Sequence, residues 1–167
     1  MLGYEEDALL VADVAKSVAA LDQLRALLDQ LRQAGLKNLD VWLGEGKWDV
    51  IHFNFGIHDR GTPAADYVKR LEEIVTRLEK TGAKLIWAST TPIPDNPAQK
   101  QTAASIVEKN ALAAEVMKKH GIPTDDLFAA MTPRLAEFQP PLDVHFTGAG
   151  YDFLGATVGA AILGRLN

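Results

Sequence analysis

Trp48 to Phe55 reads WDVIHFNF and closes at Gly56, and this stretch decides the fold. β-Branched and aromatic residues crowd into it and a glycine ends it, which is the composition of a strand. Downstream, Ala65 to Thr81 places Tyr67, Val68, Leu71, Ile74, Val75 and Leu78 on one helical face, and Gly82 ends that helix. Lys84 to Ser89 (KLIWAS) is a second strand. Thr90 to Ala98 (TTPIPDNPA) holds three prolines and is loop. Gln99 to His120 reads as a long helix stopped by Gly121, and Ile122 to Thr124 as a short strand. Leu127 to Phe138 is helical with a break at Pro133. Gln139-Pro140-Pro141-Leu142 is a rigid loop, and Gly148 to Leu166 is the closing helix. Upstream, Leu36 to Leu43 reads as a short helix ending at Gly44. Strands alternating with amphipathic helices predict parallel pairing and a layered α/β sandwich.

The chain has 167 residues, a length suited to one core of ordinary size. Apolar residues make up 47% and charged residues 23%, the balance of a globular protein rather than a disordered one. Without cysteine there is no disulfide scaffold, thiolate zinc site or cysteine nucleophile. The net charge of −5, from 17 basic and 22 acidic residues, argues against nucleic acid as a partner. No apolar run is long enough to span a bilayer. The acidic opening, Met1 to Asp7, is unlike a secretory signal, so a soluble, membrane-free protein is expected, either cytoplasmic or already processed.

The first 35 residues differ from the rest. Leu10, Val14, Ser17, Leu21, Leu24, Leu28 and Leu31 alternate at spacings of four and three, a heptad stripe with one polar interruption. A long helix is expected there, ending near Gly35, either packed on its own domain or forming a self-association seam. The division expected is therefore residues 1–35 as a helix and residues 36–167 as an α/β domain.

In open parallel sheets the working loops lie beyond the carboxyl ends of the strands. Three segments qualify: Asn54 to Asp59, Ser89 to Pro92, and Asp143 to Thr147. Two of them carry a resemblance. WDVIHFNFGIHD resembles the third conserved block of the SGNH (GDSL-like) hydrolases, and DVHFTGAGYDFLG resembles their fifth. KTGAKLIWASTTPIP and the stretch from Asn110 to Leu127 are similar to the connecting parts, so the resemblance covers roughly Leu36 to Leu166.

The resemblance implies a three-layer, flavodoxin-like parallel sheet, reduced in extent and preceded by the long N-terminal helix. It implies an esterase acting on small acyl esters or acetylated carbohydrates, with no metal or organic cofactor. Asn54 would help to form the oxyanion hole and His145 would be the general base; an imidazole titrates near neutrality, as that task requires. The family's orienting Asp stands three residues before the His, where this chain has Leu142; Asp143, two before, is the carboxylate that remains. His52 reads as a partnered strand histidine, His58 and Asp59 as loop-structuring residues, and His120 as a helix-end cap. Four scattered histidines carry no metal spacing.

The family's nucleophile block, Gly-Asp-Ser, is absent from this sequence. Two explanations fit. Ala8 to Ala12 is a degenerate first strand with Val14 in the nucleophile's place, or Leu2-Gly3-Tyr4 corresponds to the residues that follow the family's Ser. The second block is not recognisable either. Ser17 and Ser105 fall in predicted helices; Ser89 stands at a strand's carboxyl end. The alternative to an enzyme is a catalytically silent scaffold or self-assembling module on the same fold. A further arrangement has another polypeptide supplying the nucleophile strand. Loss of a central strand exposes an apolar sheet edge, so a homodimer is expected, with the heptad helix, the Trp48 to Phe55 strand, or both at its interface.

Overall fold

The computed structural model describes residues 34–99 and 101–166. The chain divides after Trp42 into two units, 1–42 and 43–167. The first described helix, α1, runs Ala34–Leu43. Gly35 therefore belongs to α1 and does not stand beyond a helix end. The heptad stripe from Leu10 to Leu31 and the Ala8 to Ala12 segment lie outside the described residues. Gly44, at φ +55°, takes the left-handed conformation after α1 that glycine adopts without strain.

The second unit is an α/β layer structure. Three parallel strands, β1 (Val50–Phe53), β2 (Lys84–Ala88) and β3 (Thr124–Asp125), stand in the order β1-β2-β3. Between them run α2 (Ala64–Glu79) and α3 (Ala103–His120), which pack against each other. Two right-handed crossovers stepping in one direction put both helices on the same face of the sheet. The other face is left to α6 (Gly148–Leu166), which packs on β1 and β2. Its carboxyl end is tied by Lys84 Nζ, which donates to the carbonyls of Arg165 and Leu166 at 2.9 and 3.2 Å. The core is apolar and close: Leu71, Val75, Leu78, Trp87, Ile106, Ala113 and Met117 are almost fully buried. No described helix is long and apolar enough to cross a membrane.

The helix expected from Gln99 begins instead at Ala103. Asn96 and Gln101 pair their main chains, Gln101 Nε2 donates to the Pro94 carbonyl, and Asp95 Oδ1 accepts from Ala103 N. These local polar bonds engage Asp95, Asn96 and Gln101 and postpone the helix. Pro133 breaks the next helical stretch as expected: α4 (Leu127–Met131) and α5 (Leu135–Phe138) are separated by a 3-10 turn at Thr132–Arg134.

Lys84 N donates to Asp49 O. Backbone polar groups alternate sides along a strand, so Asp49, Ile51 and Phe53 turn theirs toward β2 while Val50 and His52 turn theirs outward. No described strand pairs with that outward edge.

His120 does not cap its own helix, as expected from sequence; Gly121 does, at φ +65°. The imidazole crosses to α2, with Nε2 2.8 Å from Glu72 Oε2 and Nδ1 2.9 Å from Glu79 Oε1, while Lys119 Nζ donates to Glu72 Oε1 at 2.8 Å. Carboxylates accept only, so both ring nitrogens carry protons. The Glu72 and Glu79 hydrogen bonds raise the His120 pKa above its ordinary 6.5, and Lys119 and His120 lower that of Glu72 below its ordinary 4.5. The histidine's contribution is complete below pH 6.5 and is lost as pH rises through its raised value; the glutamate's is complete above pH 4.5 and is lost as pH falls through its lowered value. The urea midpoint is therefore expected to decline on both sides of that window. His120→Gln flattens the alkaline limb, at a cost of about 1 kcal/mol for a partly exposed cluster. An unchanged alkaline limb in the variant would remove the assignment.

Candidate active site

The described residues at the carboxyl edge of the sheet form the candidate site. A cavity of about 370 Å³, lined by Glu79, Lys84, His120 and Arg165 among others, lies at the opposite, amino edge. It is separate from the site.

Asn54 follows β1 directly. Its Nδ2 donates to the Ala88 carbonyl at 2.7 Å and to Thr90 Oγ1 at 3.0 Å. The amide thus cross-links the ends of β1 and β2, with both of its protons directed to protein acceptors. Thr90 is buried and is held from the helix side: Asn110 on α3 accepts from Thr90 N and donates to Thr90 O, each at 2.9 Å. The loop after Asn54 passes directly over Thr90. A Cβ placed on Gly56 would fall 1.8 Å from Thr90 Oγ1, so only glycine fits. Tyr67 anchors the same loop, its hydroxyl donating to Phe55 O at 2.7 Å; burial, then the Asp59 charge, pushes its pKa up.

His145 stands before α6, on a loop secured by its neighbours. Phe146 packs with Met131 and Phe138 in a small apolar cluster, and Thr147 N donates to Phe138 O at 2.7 Å. Gly150 lets α6 approach, since a Cβ there would lie 2.9 Å from the Cβ atoms of Phe138 and Phe146. Thr147 Oγ1 accepts from Gly150 N at 3.3 Å, so Thr147 caps the first turn.

Leu142 has φ +60°, a left-handed conformation unusual for leucine. It precedes Asp143, whose Oδ1 accepts from His145 N at 3.0 Å and lies 2.7 Å from His145 Nδ1. Because an ionised carboxylate only accepts, Nδ1 carries the proton and Nε2 is left as the basic nitrogen. The His145 backbone N–H first, then its side chain, lowers the Asp143 pKa and keeps the carboxylate ionised. A carboxylate two residues before the histidine therefore reaches the ring. The pair is open to solvent, with side-chain exposures of 72% for His145 and 47% for Asp143.

Gln139 Nε2 donates to Pro92 O at 3.1 Å and Asn96 Nδ2 to Leu142 O at 3.4 Å, so the loop that begins at Thr90 is tied to the loop that carries Asp143 and His145.

The other polar residues have structural partners. Ser89 Oγ donates to Asp126 Oδ1 and accepts from Phe128 N, each at 2.8 Å, closing the start of α4. Ser105 Oγ donates to Thr102 O. His52 on β1 reaches across β2 to Asp125 on β3, 2.9 Å from Nε2 to Oδ2, the partnered strand histidine expected. Among the described residues no three His, Asp or Glu side chains converge as a metal site. Sequence reading had not singled out Thr90 or Asn110; the Thr90-Thr91-Pro92 run directly after a strand was the available signal.

Residues 23–153 match the GDSL-like lipase/acylhydrolase family. The chain belongs to that family. A lipase/acylhydrolase from Enterococcus faecalis is 30% identical, with 81% of this chain and 72% of that one aligned at a TM-score of 0.66. LAE5, an α/β hydrolase from the metagenome of Lake Arreo in Spain, is 22% identical over 84% of this chain and 69% of its own, with a TM-score of 0.62. An acetyl xylan esterase, AlAXEase, shares the fold at 13% identity and a TM-score of 0.63, over 81% of this chain and 75% of its own. No curated protein matches. Membership of the GDSL-like family makes acyl ester hydrolysis the family-level activity, and the small parallel sheet with its covering helices is the family's fold.

Proposed function

We propose that this GDSL-like chain hydrolyses small acyl esters or acetylated carbohydrates at the carboxyl rim of its sheet. The observation that carries this reading is the Asp143–His145 pair, 2.7 Å apart, which leaves the Nε2 lone pair facing outward on an exposed loop. In this reading His145 takes a proton from a water attacking the acyl carbonyl and returns it to the leaving alcohol, Asp143 holds the ring, and Asn54, whose amide donates to Ala88 O and Thr90 Oγ1, braces the rim. Turnover of p-nitrophenyl acetate by wild-type and His145→Ala protein tests it.

A second reading, a silent scaffold on the same fold, is favoured by one observation. Both described serines have given their hydroxyl protons elsewhere, Ser89 to Asp126 and Ser105 to Thr102. Wild-type turnover at background level would select that reading.

We also propose that the chain is a homodimer, supported by the outward polar groups of Val50 and His52, which no described strand pairs. Light scattering is expected to read twice the chain mass. A monomer mass across the concentration range would overturn it.

A further inference from the structure

We propose that Leu142 is the positioning residue of the Asp143–His145 pair: its left-handed backbone, clamped by Asn96, lets a carboxylate only two residues before the histidine take hold of the ring. The inference rests on the proposed hydrolase function for its kinetic consequence alone; the positioning is readable without turnover.

The turn can be built from its residues. Asp143 N donates to Pro140 O at 3.3 Å, which closes a four-residue turn over Pro140, Pro141, Leu142 and Asp143. A proline at the second position has φ of about −65°, so the turns that need a positive φ there are closed to it. Leu142, at the third position, has φ +60°. Negative then positive φ is the type II pattern, whose third position favours glycine or asparagine because a Cβ there crowds the backbone. This chain has a leucine in that place, and it is 60% exposed, so side-chain burial does not account for the strained backbone.

What the conformation does is visible one residue on. Asp143 leaves the turn with Oδ1 accepting from His145 N at 3.0 Å and standing 2.7 Å from His145 Nδ1. Rotating φ of Leu142 to the ordinary negative range would swing Asp143 and the chain after it. That chain is already fixed, with Phe146 buried and Thr147 N held to Phe138 O at 2.7 Å, so it cannot follow and the pair parts. The turn is held from behind as well. Asn96, itself buried on the loop after β2, donates Nδ2 to Leu142 O at 3.4 Å. A strained backbone persists where its surroundings over-determine it, and such residues cluster at functional sites.

The test uses the full chain and varies the backbone preference of one residue. Valine and isoleucine, branched at Cβ, resist a positive φ, whereas glycine and asparagine accept it. Ring ¹⁵N shifts of His145 report which nitrogen carries the proton of the neutral imidazole. The ¹³C carboxyl signal of Asp143 reports a titration that the His145 backbone N–H first, then its side chain, holds below the ordinary 3.8. Leu142→Val and Leu142→Ile are expected to lose the Nδ1–H tautomer and to bring Asp143 back toward 3.8. Leu142→Asn and Leu142→Gly are expected to keep both. Asn96→Ala, which leaves residue 142 as it is, is expected to lose part of both and keeps the test open if a branched variant does not fold. In parallel, the branched variants are expected to lower kcat for p-nitrophenyl acetate about 10- to 100-fold with little change in KM, the effect of displacing a catalytic group by about 1 Å, and asparagine to rescue it. Branched variants that keep the tautomer and the low Asp143 titration overturn the assignment, and so do asparagine and glycine variants that lose them. An Asn96→Ala protein indistinguishable from wild type overturns the clamp. Failure of the hydrolase reading shows itself separately, as background turnover in the wild type while the ring and carboxyl signals still follow the backbone at position 142.

Discussion

His145→Ala is expected to lower kcat for p-nitrophenyl acetate by about 10²–10⁴-fold, the contribution of a positioned general base. Asp143 Oδ1 takes both the backbone and the ring proton of His145, at 3.0 and 2.7 Å, so the ring has one orientation and one tautomer, with Nε2 as the base. Alanine removes the base and leaves the Asp143 carboxylate without its ring partner, while the loop keeps the anchoring of Phe146 and Thr147. Stability should therefore change little, and a circular dichroism melt of the variant should overlay that of the wild type. A variant as fast as the wild type would take His145 out of the chemistry, whatever the site then does.

Gly56→Ala is expected to cost about 1–3 kcal/mol of stability, the usual penalty for forcing a methyl group into filled space. The new Cβ would lie 1.8 Å from Thr90 Oγ1 and 2.9 Å from Thr90 Cβ. The obstacle cannot swing aside easily. Thr90 is β-branched and buried, and its backbone is gripped by Asn110. Either the loop from Phe55 lifts, stretching the Tyr67 hydroxyl bond to Phe55 O, or Thr90 turns and releases Asn54. Urea denaturation reads the loss, and Thr90→Ala in the same chain should recover part of it by removing Oγ1. A midpoint unchanged by Gly56→Ala would mean that the loop does not pass where the structure places it.

The elements most legible in the sequence were those whose cause is local. The face shared by Tyr67, Leu71, Ile74, Val75 and Leu78 on α2 and the αL glycines at positions 44 and 121 follow from periodicity and backbone sterics. Boundaries failed where side chains competed with the main chain. Asp95, Asn96 and Gln101 delayed α3, and the strand read over Trp48 to Phe55 shortened to Val50–Phe53. His120 was misread because its partners, Glu72 and Glu79, sit 48 and 41 residues away on another helix.

The candidate site divides in the same way. The sequence placed Asn54 at the carboxyl end of a strand through strand–helix alternation, and β1 does end at Phe53, just before it; His145 was read from the resemblance to the family's fifth block. Only the tertiary structure decided how Asp143 and Asn54 are engaged. A left-handed backbone at Leu142 stands before a carboxylate that reaches the histidine two residues on. Both protons of Asn54 turn inward, to acceptors 34 and 36 residues away. Neighbouring residues set periodicity and turns, whereas a hydrogen bond between distant segments exists only once packing has brought donor and acceptor within about 3 Å of each other.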